Sequence, residues 1–184
     1  MIDIRALAIP DVKLIVPKRH GDQRGYFVET WNRKAFREAG IDADFCQDNA
    51  AYSAATHILR GLHFQTPPHA QSKLVSVLSG RIFDVAVDIR KSSPTFGRHV
   101  SVELSAEEGQ ALLVPKGFAH GYATLVPDTT VFYKVDAHYA PANDAGILWS
   151  DPSLGIKWPV TGQEAILSAK DMKLPTLAAI TSPF

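Results

Sequence analysis

Short runs in which apolar and polar residues alternate recur about every ten residues along this chain, and glycine or proline separates most of them. This spacing constrains the fold more than any other feature, because alternation with a period of two is typical of β-strands that bury one face. In the clearest run, residues 81–89, the apolar side chains share one face while Asp84 and Asp88 point the other way. The other runs span residues 26–31, 73–78, 100–104, 111–114 and 130–135. Many short strands with almost no helical pattern predict an all-β fold, either an antiparallel sandwich or a barrel.

Two segments depart from this pattern. Residues 32–40 predict one short helix, which Asn32 caps at its start and Gly40 ends. From Pro152 onward the chain is richer in Pro, Gly and Ser, and residues 163–170 have some helical character. We expect this last segment to pack on the barrel as a C-terminal extension. A loose tail is the alternative interpretation.

Length and charge exclude several classes of protein. The chain has 184 residues, which suits a single domain, residues 1–184, around one core. Nineteen Lys and Arg balance nineteen Asp and Glu, so the basic excess typical of nucleic-acid binding is missing. No apolar run reaches the ~18 residues of a membrane span, and the first residues do not resemble a signal peptide. Cys46 is the lone cysteine, so an internal disulfide is excluded. We therefore expect a cytoplasmic enzyme or small-molecule binder with no nucleic-acid or membrane partner.

A motif near the middle of the chain points to one kind of barrel. Residues 109–120 resemble the second motif of the cupin superfamily, Gly-x5-Pro-x-Gly-x2-His. Pro115 and Gly117 suit a tight corner between two strands, and His120 then begins the next strand with its ring toward the interior. A turn followed by a packed histidine is the alternative. The complete spacing favours the motif, and the resemblance implies a cupin jelly-roll barrel with short helices.

The first cupin motif is altered at its metal-ligand positions. Counting back from Gly80, Lys73 stands where a metal-binding cupin has Glu, and Pro67 and His69 fall on the two His positions. A protonated ammonium offers no lone pair and repels a divalent cation. We therefore expect a pocket without a metal, in which Lys73 faces an anionic group of the substrate. A lysine whose charge reaches solvent at the strand edge is the alternative.

Six further segments carry more polar residues than β-strands usually have. They are Arg24–Glu29, Gln47–Asn49, Leu59–Gln65, His120–Tyr122, Tyr133–Lys134 and Ser168–Asp171. In this order and spacing, the segments resemble the dTDP-4-dehydrorhamnose 3,5-epimerase family over residues 24–171. Each motif alone is weak, and the combination is highly specific.

The resemblance implies a jelly-roll homodimer, free of metal and cofactor, that acts on dTDP-4-dehydro-6-deoxy-D-glucose. The C4 ketone acidifies the protons on C3 and C5, and inverting both centres gives dTDP-4-dehydro-L-rhamnose, the precursor of dTDP-L-rhamnose. By resemblance, His63 is the base and Asp171 the carboxylate that orients it. Tyr133 is the acid, and Lys73 is the cation beside the C4 oxygen. These residue types fit the reaction, which needs a base, an acid on the opposite face and a group that stabilises the enolate.

The resemblance also implies a set of residues that bind the substrate. Besides Lys73, these are Arg24, Phe27, Glu29, Gln47, Asp48, Asn49, Arg60, His120, Tyr139, Asp144 and Lys170. The planar fork of arginine suits pyrophosphate oxygens, and aromatic and amide side chains suit thymine. Asp144 stands where the family usually has Glu, so the charge is kept on a side chain one methylene shorter. A surface ion pair between Arg24 and Glu29, and a plain polar loop at residues 47–49, are the alternatives.

Three other functions compete with double inversion. One is an epimerase that inverts a single centre, against which Tyr133 weighs. Another is a metal-dependent cupin, against which the altered ligand positions weigh. The third is a sugar-binding module without catalysis, which needs no acid–base pair. The homodimer has its own rationale, because the N-terminal strands around Arg24 can reach a neighbour's site.

Overall fold

The computed structural model describes residues 2–184, which form strands, one α-helix and four short 3₁₀-helices. The strands are β1 (Asp3–Ala6), β2 (Lys13–Val16), β3 (Arg19–Asp22), β4 (Gly25–Val28), β5 (Gln47–Ser53), β6 (Leu59–Gln65), β7 (Lys73–Ser79), β8 (Arg81–Asp88), β9 (His99–Ser105), β10 (Ala111–Val114), β11 (Phe118–Thr124), β12 (Thr129–Val135) and β13 (Asp144–Gly146). The α-helix, α1, spans Arg33–Glu38, and the 3₁₀-helices span Pro141–Asn143, Pro152–Leu154, Asp171–Lys173 and Leu177–Ala179.

Two antiparallel sheets face each other. One has the strand order β1-β2-β10-β7-β12-β5, and the other has the order β13-β6-β11-β8-β9. The main core lies between them, since Val75 and Val131 of the first sheet pack with Ile82 and Phe118 of the second. The predicted all-β jelly roll is confirmed. Its two sheets stay separate in hydrogen bonding, so the barrel is a two-sheet sandwich rather than a closed cylinder.

The C-terminal segment covers the outer face of the second sheet. Ile180 and Phe184 pack against a buried cluster that includes Val85 and Val87 of β8. The predicted packed extension is therefore confirmed, and the alternative of a loose tail is wrong.

This cover corrects the prediction that β8 is half-buried. Asp84 and Asp88 are both fully buried, because the first sheet closes one face of β8 and the C-terminal segment closes the other.

Of three further sequence predictions, one is confirmed and two are corrected. The short helix is confirmed, with the Asn32 side chain accepting a hydrogen bond from the Ala35 amide at 3.1 Å. The strand predicted over residues 26–31 ends at Val28, because the chain then turns into this helix. The helical character predicted for residues 163–170 is wrong, and the segment instead makes a parallel bridge from Ile166 to the chain before β6.

One hairpin stands apart from both sheets. β3 and β4 pair only with each other within residues 2–184, and Arg19 anchors the hairpin by donating hydrogen bonds to the carbonyls of Ala106 and Glu107. The aromatic rings of Tyr26 and Phe27 are 58% and 71% exposed. Among the helices of residues 2–184, none has the length and apolar character to cross a membrane.

Candidate active site

Strand register brings the candidate catalytic groups to the inner faces of the two sheets. On the first sheet, Lys73 and Val75 are two residues apart on β7 and therefore share its inner face. Tyr133 on β12 lies directly opposite Val75. On the second sheet, His120 and Phe118 are two residues apart on β11 and share its inner face. Directly opposed residues of antiparallel strands share a face, so His63, which opposes His120, also points inward. Both histidines therefore lie on one inner wall, formed by the second sheet, and Lys73 and Tyr133 lie on the facing wall, formed by the first sheet.

His63 is held by a carboxylate from the far end of the chain. Its Nε2 lies 2.6 Å from Oδ1 of Asp171, which is 3% exposed and begins the 3₁₀-helix Asp171–Lys173 within the C-terminal extension. Burial acts to raise the pKa of Asp171, but the hydrogen bond and charge of His63 outweigh it and leave the pKa below its usual value. An ionised carboxylate only accepts hydrogen bonds, so Nε2 carries the hydrogen and the Nδ1 lone pair of a neutral His63 is free to accept a proton.

Two glycines allow β6 and β11 to approach closely at this point. A Cβ on Gly121 would lie 2.6 Å from the Arg60 carbonyl oxygen, and one on Gly61, whose φ is +120°, would lie 2.5 Å from the Gly121 Cα. The register between the strands shifts here, between His120 and Tyr122. Side chains at either glycine would separate the strands that carry the two histidines.

Lys73 combines burial with nearby negative charge. Its Nζ lies 3.5 Å from the His63 carbonyl oxygen. Burial lowers the pKa of Lys73 to about 8, against the opposing charges of Asp144 and Asp84. With this pKa, about nine in ten Lys73 side chains are ammonium ions at pH 7. The site therefore offers a desolvated cation at neutral pH.

Tyr133 lies on the same inner wall as Lys73 and is a neutral phenol. Burial raises its pKa, and the charge of Arg60 opposes the rise. A raised pKa keeps the proton on the phenol at neutral pH, so the group can donate it. Arg60 itself is exposed and donates a hydrogen bond to the Tyr52 carbonyl at 3.2 Å.

A polar network lies beside these groups. The Gln47 side chain donates to Asn49 Oδ1 at 2.8 Å and accepts from the Tyr139 amide at 3.0 Å. The Tyr139 hydroxyl donates to Asp144 Oδ2 at 3.0 Å, and the Lys170 ammonium binds the same carboxylate oxygen. The shorter Asp144 thus still connects an exposed aromatic ring to a cation of the C-terminal extension.

Four residues of the predicted binding set lie elsewhere. Arg24 pairs with Asp22 inside its own hairpin and its side chain is 84% exposed, while Phe27 and Glu29 are also exposed. Asp48 alternates with the inward-facing Gln47 and Asn49, so it points to the outer face, where Lys134 Nζ lies 2.8 Å away. Within one chain, the structure does not bring these four side chains to the interior around His63.

Sequence reasoning missed a carboxylate inside the site. Asp84 Oδ1 lies 2.8 Å from His120 Nε2, and both residues are buried. Tyr122, two residues after His120, is also buried on this face, and burial raises its pKa to about 12. The available signal was the alternation of β8, which put Asp84 on the same face as Ile82 and Ala86. The alternation alone assigns that face to solvent, because it carries Asp84 and Asp88.

The old metal-ligand positions of the cupin motif do not converge. His69 and Pro67 are exposed in the loop after β6. Throughout residues 2–184, no three side chains of His, Cys, Asp or Glu cluster so that they could hold a metal ion.

A two-sheet jelly roll whose inner walls present a free imidazole nitrogen, a neutral phenol and an ammonium defines an acid–base enzyme of the isomerase type. Comparison with known proteins gives the family. A family model described as dTDP-4-dehydrorhamnose 3,5-epimerase matches residues 6–179. A relative of that name from Sinorhizobium fredii is 48% identical over 98% of this chain and 92% of its own length.

Solved structures agree. The dTDP-4-dehydrorhamnose 3,5-epimerase of Bacillus anthracis, solved with TDP and PPi bound, has a TM-score of 0.93 and 49% identity, covering 96% of this chain and 99% of that one. The dTDP-6-deoxy-D-glucose-3,5-epimerase of Legionella pneumophila, solved in complex with dTDP-4-keto-L-rhamnose, has a TM-score of 0.94 and 43% identity, covering 98% and 95%. The chain belongs to the dTDP-4-dehydrorhamnose 3,5-epimerase family.

Proposed function

We propose that this protein inverts C3 and C5 of dTDP-4-dehydro-6-deoxy-D-glucose and releases dTDP-4-dehydro-L-rhamnose, the precursor of dTDP-L-rhamnose for cell-surface polysaccharide. The observation that carries the proposal is the opposition of His63 and Tyr133 across the interior. Inversion requires a proton to leave one face of a carbon and another to arrive on the opposite face. A sugar bound between the two sheets would have an acceptor on one side and a donor on the other.

Each inversion begins at His63. Nδ1 takes the proton from the carbon beside the C4 ketone, and Asp171 stabilises the imidazolium that forms. The electrons of the C–H bond move into the ketone and give an enolate. Tyr133 then delivers its phenolic proton to the opposite face of the same carbon. The His63 imidazolium releases its proton to solvent and the phenolate takes a proton from solvent, which resets the base and the acid. The second carbon beside the ketone follows the same steps.

Lys73 would stabilise the enolate oxygen. Its ammonium is desolvated, and a positive charge in a low-dielectric site interacts more strongly with a developing anion than it would in water. No metal or cofactor is needed for the steps as written.

Binding of the nucleotide draws on the remaining predicted residues. Tyr139 exposes a ring held at its hydroxyl by Asp144, which suits stacking on thymine. Arg60 and Lys170 supply cations for the pyrophosphate. The roles of Gln47, Asn49 and His120 in binding, and of Asp144 in place of Glu, stay predictions.

An exchange experiment tests the proposed reaction. The protein is incubated with the dTDP-4-keto sugar in D₂O, and the product is read by NMR. Deuterium at both C3 and C5 with inverted configuration is expected. Label at one carbon supports the single-centre epimerase instead, and absence of label supports a binding module. Activity that tracks bound iron, manganese or nickel in elemental analysis would support the metal-dependent alternative.

The homodimer is part of the proposal. The β3–β4 hairpin carries Arg24 and Phe27 away from its own interior, and Tyr26 and Phe27 expose apolar rings. An apolar groove of about 260 Å³ lies on the outer face of the first sheet, lined by Ile15, Leu74, Leu78, Ala111 and Phe132. A second copy would cover this groove while its hairpin adds Arg24, Phe27 and Glu29 to the neighbouring site. Light scattering in solution tests the dimer, and a monomeric mass would contradict it.

The cytoplasmic location and the single domain over residues 1–184 stay predictions. Cell fractionation and a cooperative single unfolding transition would test them.

A further inference from the structure

A buried pair on the second sheet has no assigned role in the steps above. Asp84 is fully buried on the inner face of β8, and its Oδ1 lies 2.8 Å from Nε2 of His120 on the neighbouring strand. Its other oxygen, Oδ2, is buried and has no hydrogen-bond partner among residues 2–184. A buried carboxylate oxygen without a partner is costly, so a structural role alone does not explain why the group is there.

A buried cation lies on the wall that faces Asp84. Lys73 begins β7 on the facing wall, and the negative charge of Asp84 acts on its ammonium against the effect of burial. Asp84 therefore binds the imidazole of His120 on its own wall, and the wall opposite carries the ammonium of Lys73.

We propose that Asp84 is a positioning residue for epimerisation: it fixes the hydrogen of His120 on Nε2 and supplies the buried negative charge that keeps Lys73 an ammonium ion. The inference rests on the proposed function for its catalytic meaning. Its electrostatic part concerns the ligand-free protein and is tested without substrate.

The surroundings of Lys73 define what else can move its titration. The groups that titrate on the walls around it are Asp84, Asp144, His63, His120, Tyr122 and Tyr133, with Asp171 bound to His63. Of these, Asp144, whose effect is the larger, and Asp84 are the carboxylates that favour the ammonium. The strand β10 places the neutral Val114 beside Lys73. Asp144 is already bound by Lys170, whereas Asp84 Oδ2 has no partner in the part of the chain described.

The test compares Asp84→Asn with Asp88→Asn. The first variant keeps the shape and an acceptor for His120 but removes the charge. Asp88 is the matched control, because it is a fully buried aspartate on the same strand and face that binds Arg90 instead. The titration of Lys73 is followed in ligand-free protein by NMR of ¹³Cε-labelled lysine, assigned with Lys73→Arg. The pH profile of kcat/KM is measured in parallel.

In the wild-type protein we expect Lys73 to titrate near pH 8. In Asp84→Asn the titration should move about one pH unit lower, because a buried opposite charge on the facing wall has been removed. The falling limb of kcat/KM should move with it, so that the loss of activity is larger at high pH than at pH 6.5. Asp88→Asn should leave both midpoints in place, whatever its effect on stability.

An unchanged Lys73 titration in Asp84→Asn, or an equal shift in Asp88→Asn, would overturn the inference. If Asp84→Asn does not fold, the wild-type protein still provides a test, since the ¹³Cγ resonance of Asp84 should show an inflection when Lys73 titrates. Absence of that inflection would also overturn it. A protein in which Lys73 shifts as expected but the dTDP-4-keto sugar stays unchanged would contradict the proposed function and support the charge coupling.

Discussion

At the scale of single residues, His63 and Lys73 perform different tasks and should fail to different degrees. His63→Ala removes the base, and general acid–base groups contribute about 10²–10⁴ to a rate. Lys73→Ala removes an oxyanion-type donor, whose loss typically costs about 10²–10³. We expect His63→Ala to have the lower kcat, and both variants to keep the wild-type circular dichroism spectrum. Near-normal turnover in purified His63→Ala would contradict the assignment of the base.

Lys73 should also cost the protein stability. Its pKa is about 8 in the folded state against 10.5 unfolded, so the unfolded state binds more protons between these pH values and stability rises with pH there. Below pH 8 the cost is fully present. Lys73→Met should therefore raise the free energy of unfolding at pH 7 by on the order of 1 kcal/mol, or about 2–4 °C in Tm. Thermal unfolding at pH 7 and pH 10 measures this, and a gain that grows with pH would contradict it.

At the scale of elements, the contact between β6 and β11 depends on glycine. Gly121→Ala puts a methyl group 2.6 Å from the Arg60 carbonyl, which is backbone and cannot rotate away. We expect a loss of about 1–3 kcal/mol in stability and a fall in kcat, because His63 moves with its strand. Gly162→Ala is the matched control, since a methyl group there meets nothing within 4 Å. Chemical denaturation and steady-state assays compare the two, and equal behaviour would contradict the close-approach argument.

The loop after β8 depends on Asp88. This buried carboxylate accepts hydrogen bonds from Arg90, Ser93 and Thr95. Burial acts to raise its pKa, but these bonds outweigh it and lower the pKa to about 2. The stability that Asp88 contributes is present above its unfolded pKa of 3.8 and is lost as pH falls toward 2. Asp88→Ala should lose about 3–5 kcal/mol near neutral pH and show a smaller further loss between pH 4 and pH 2 than the wild type, as measured by urea unfolding.

The strands and the helix are predictable from the sequence where residues close together in the chain determine them. Alternation gave the strands around Lys73 and Tyr133, and the Asn32 cap gave the helix. The contact between His63 and Asp171 joins positions 108 residues apart, so no local pattern contains it. The burial of Asp84 was missed for the same reason. Whether the second face of a strand meets water depends on distant segments, and for the face of β8 that carries Asp84 these are the strands of the first sheet.

At the scale of the whole molecule, the chain folds one group of predicted binding residues away from the other. Arg24 and Phe27 extend on the hairpin, and His63 and Lys73 lie in the interior. The proposed dimer resolves this separation, because each hairpin would complete its neighbour's site.

Mixing two inactive variants tests that arrangement. Arg24→Ala and His63→Ala proteins are unfolded together and refolded, so that half of the dimers contain one of each chain. In a mixed dimer, the intact hairpin of the His63→Ala chain serves the intact interior of the Arg24→Ala chain. We expect activity to recover to about a quarter of wild type, one intact site in half of the dimers. The matched control refolds each variant alone, and equally low activity after mixing would contradict a shared site.

The central claim is that proton removal and proton return occur on opposite faces of one bound sugar. The most direct test is Tyr133→Phe incubated with the dTDP-4-keto sugar in D₂O and followed by NMR. His63 remains, so we predict that C3 and C5 still exchange hydrogen for deuterium while their configuration is kept. Two results would contradict the account: a Tyr133→Phe protein that neither exchanges nor inverts the two carbons, or one that inverts them at the wild-type rate.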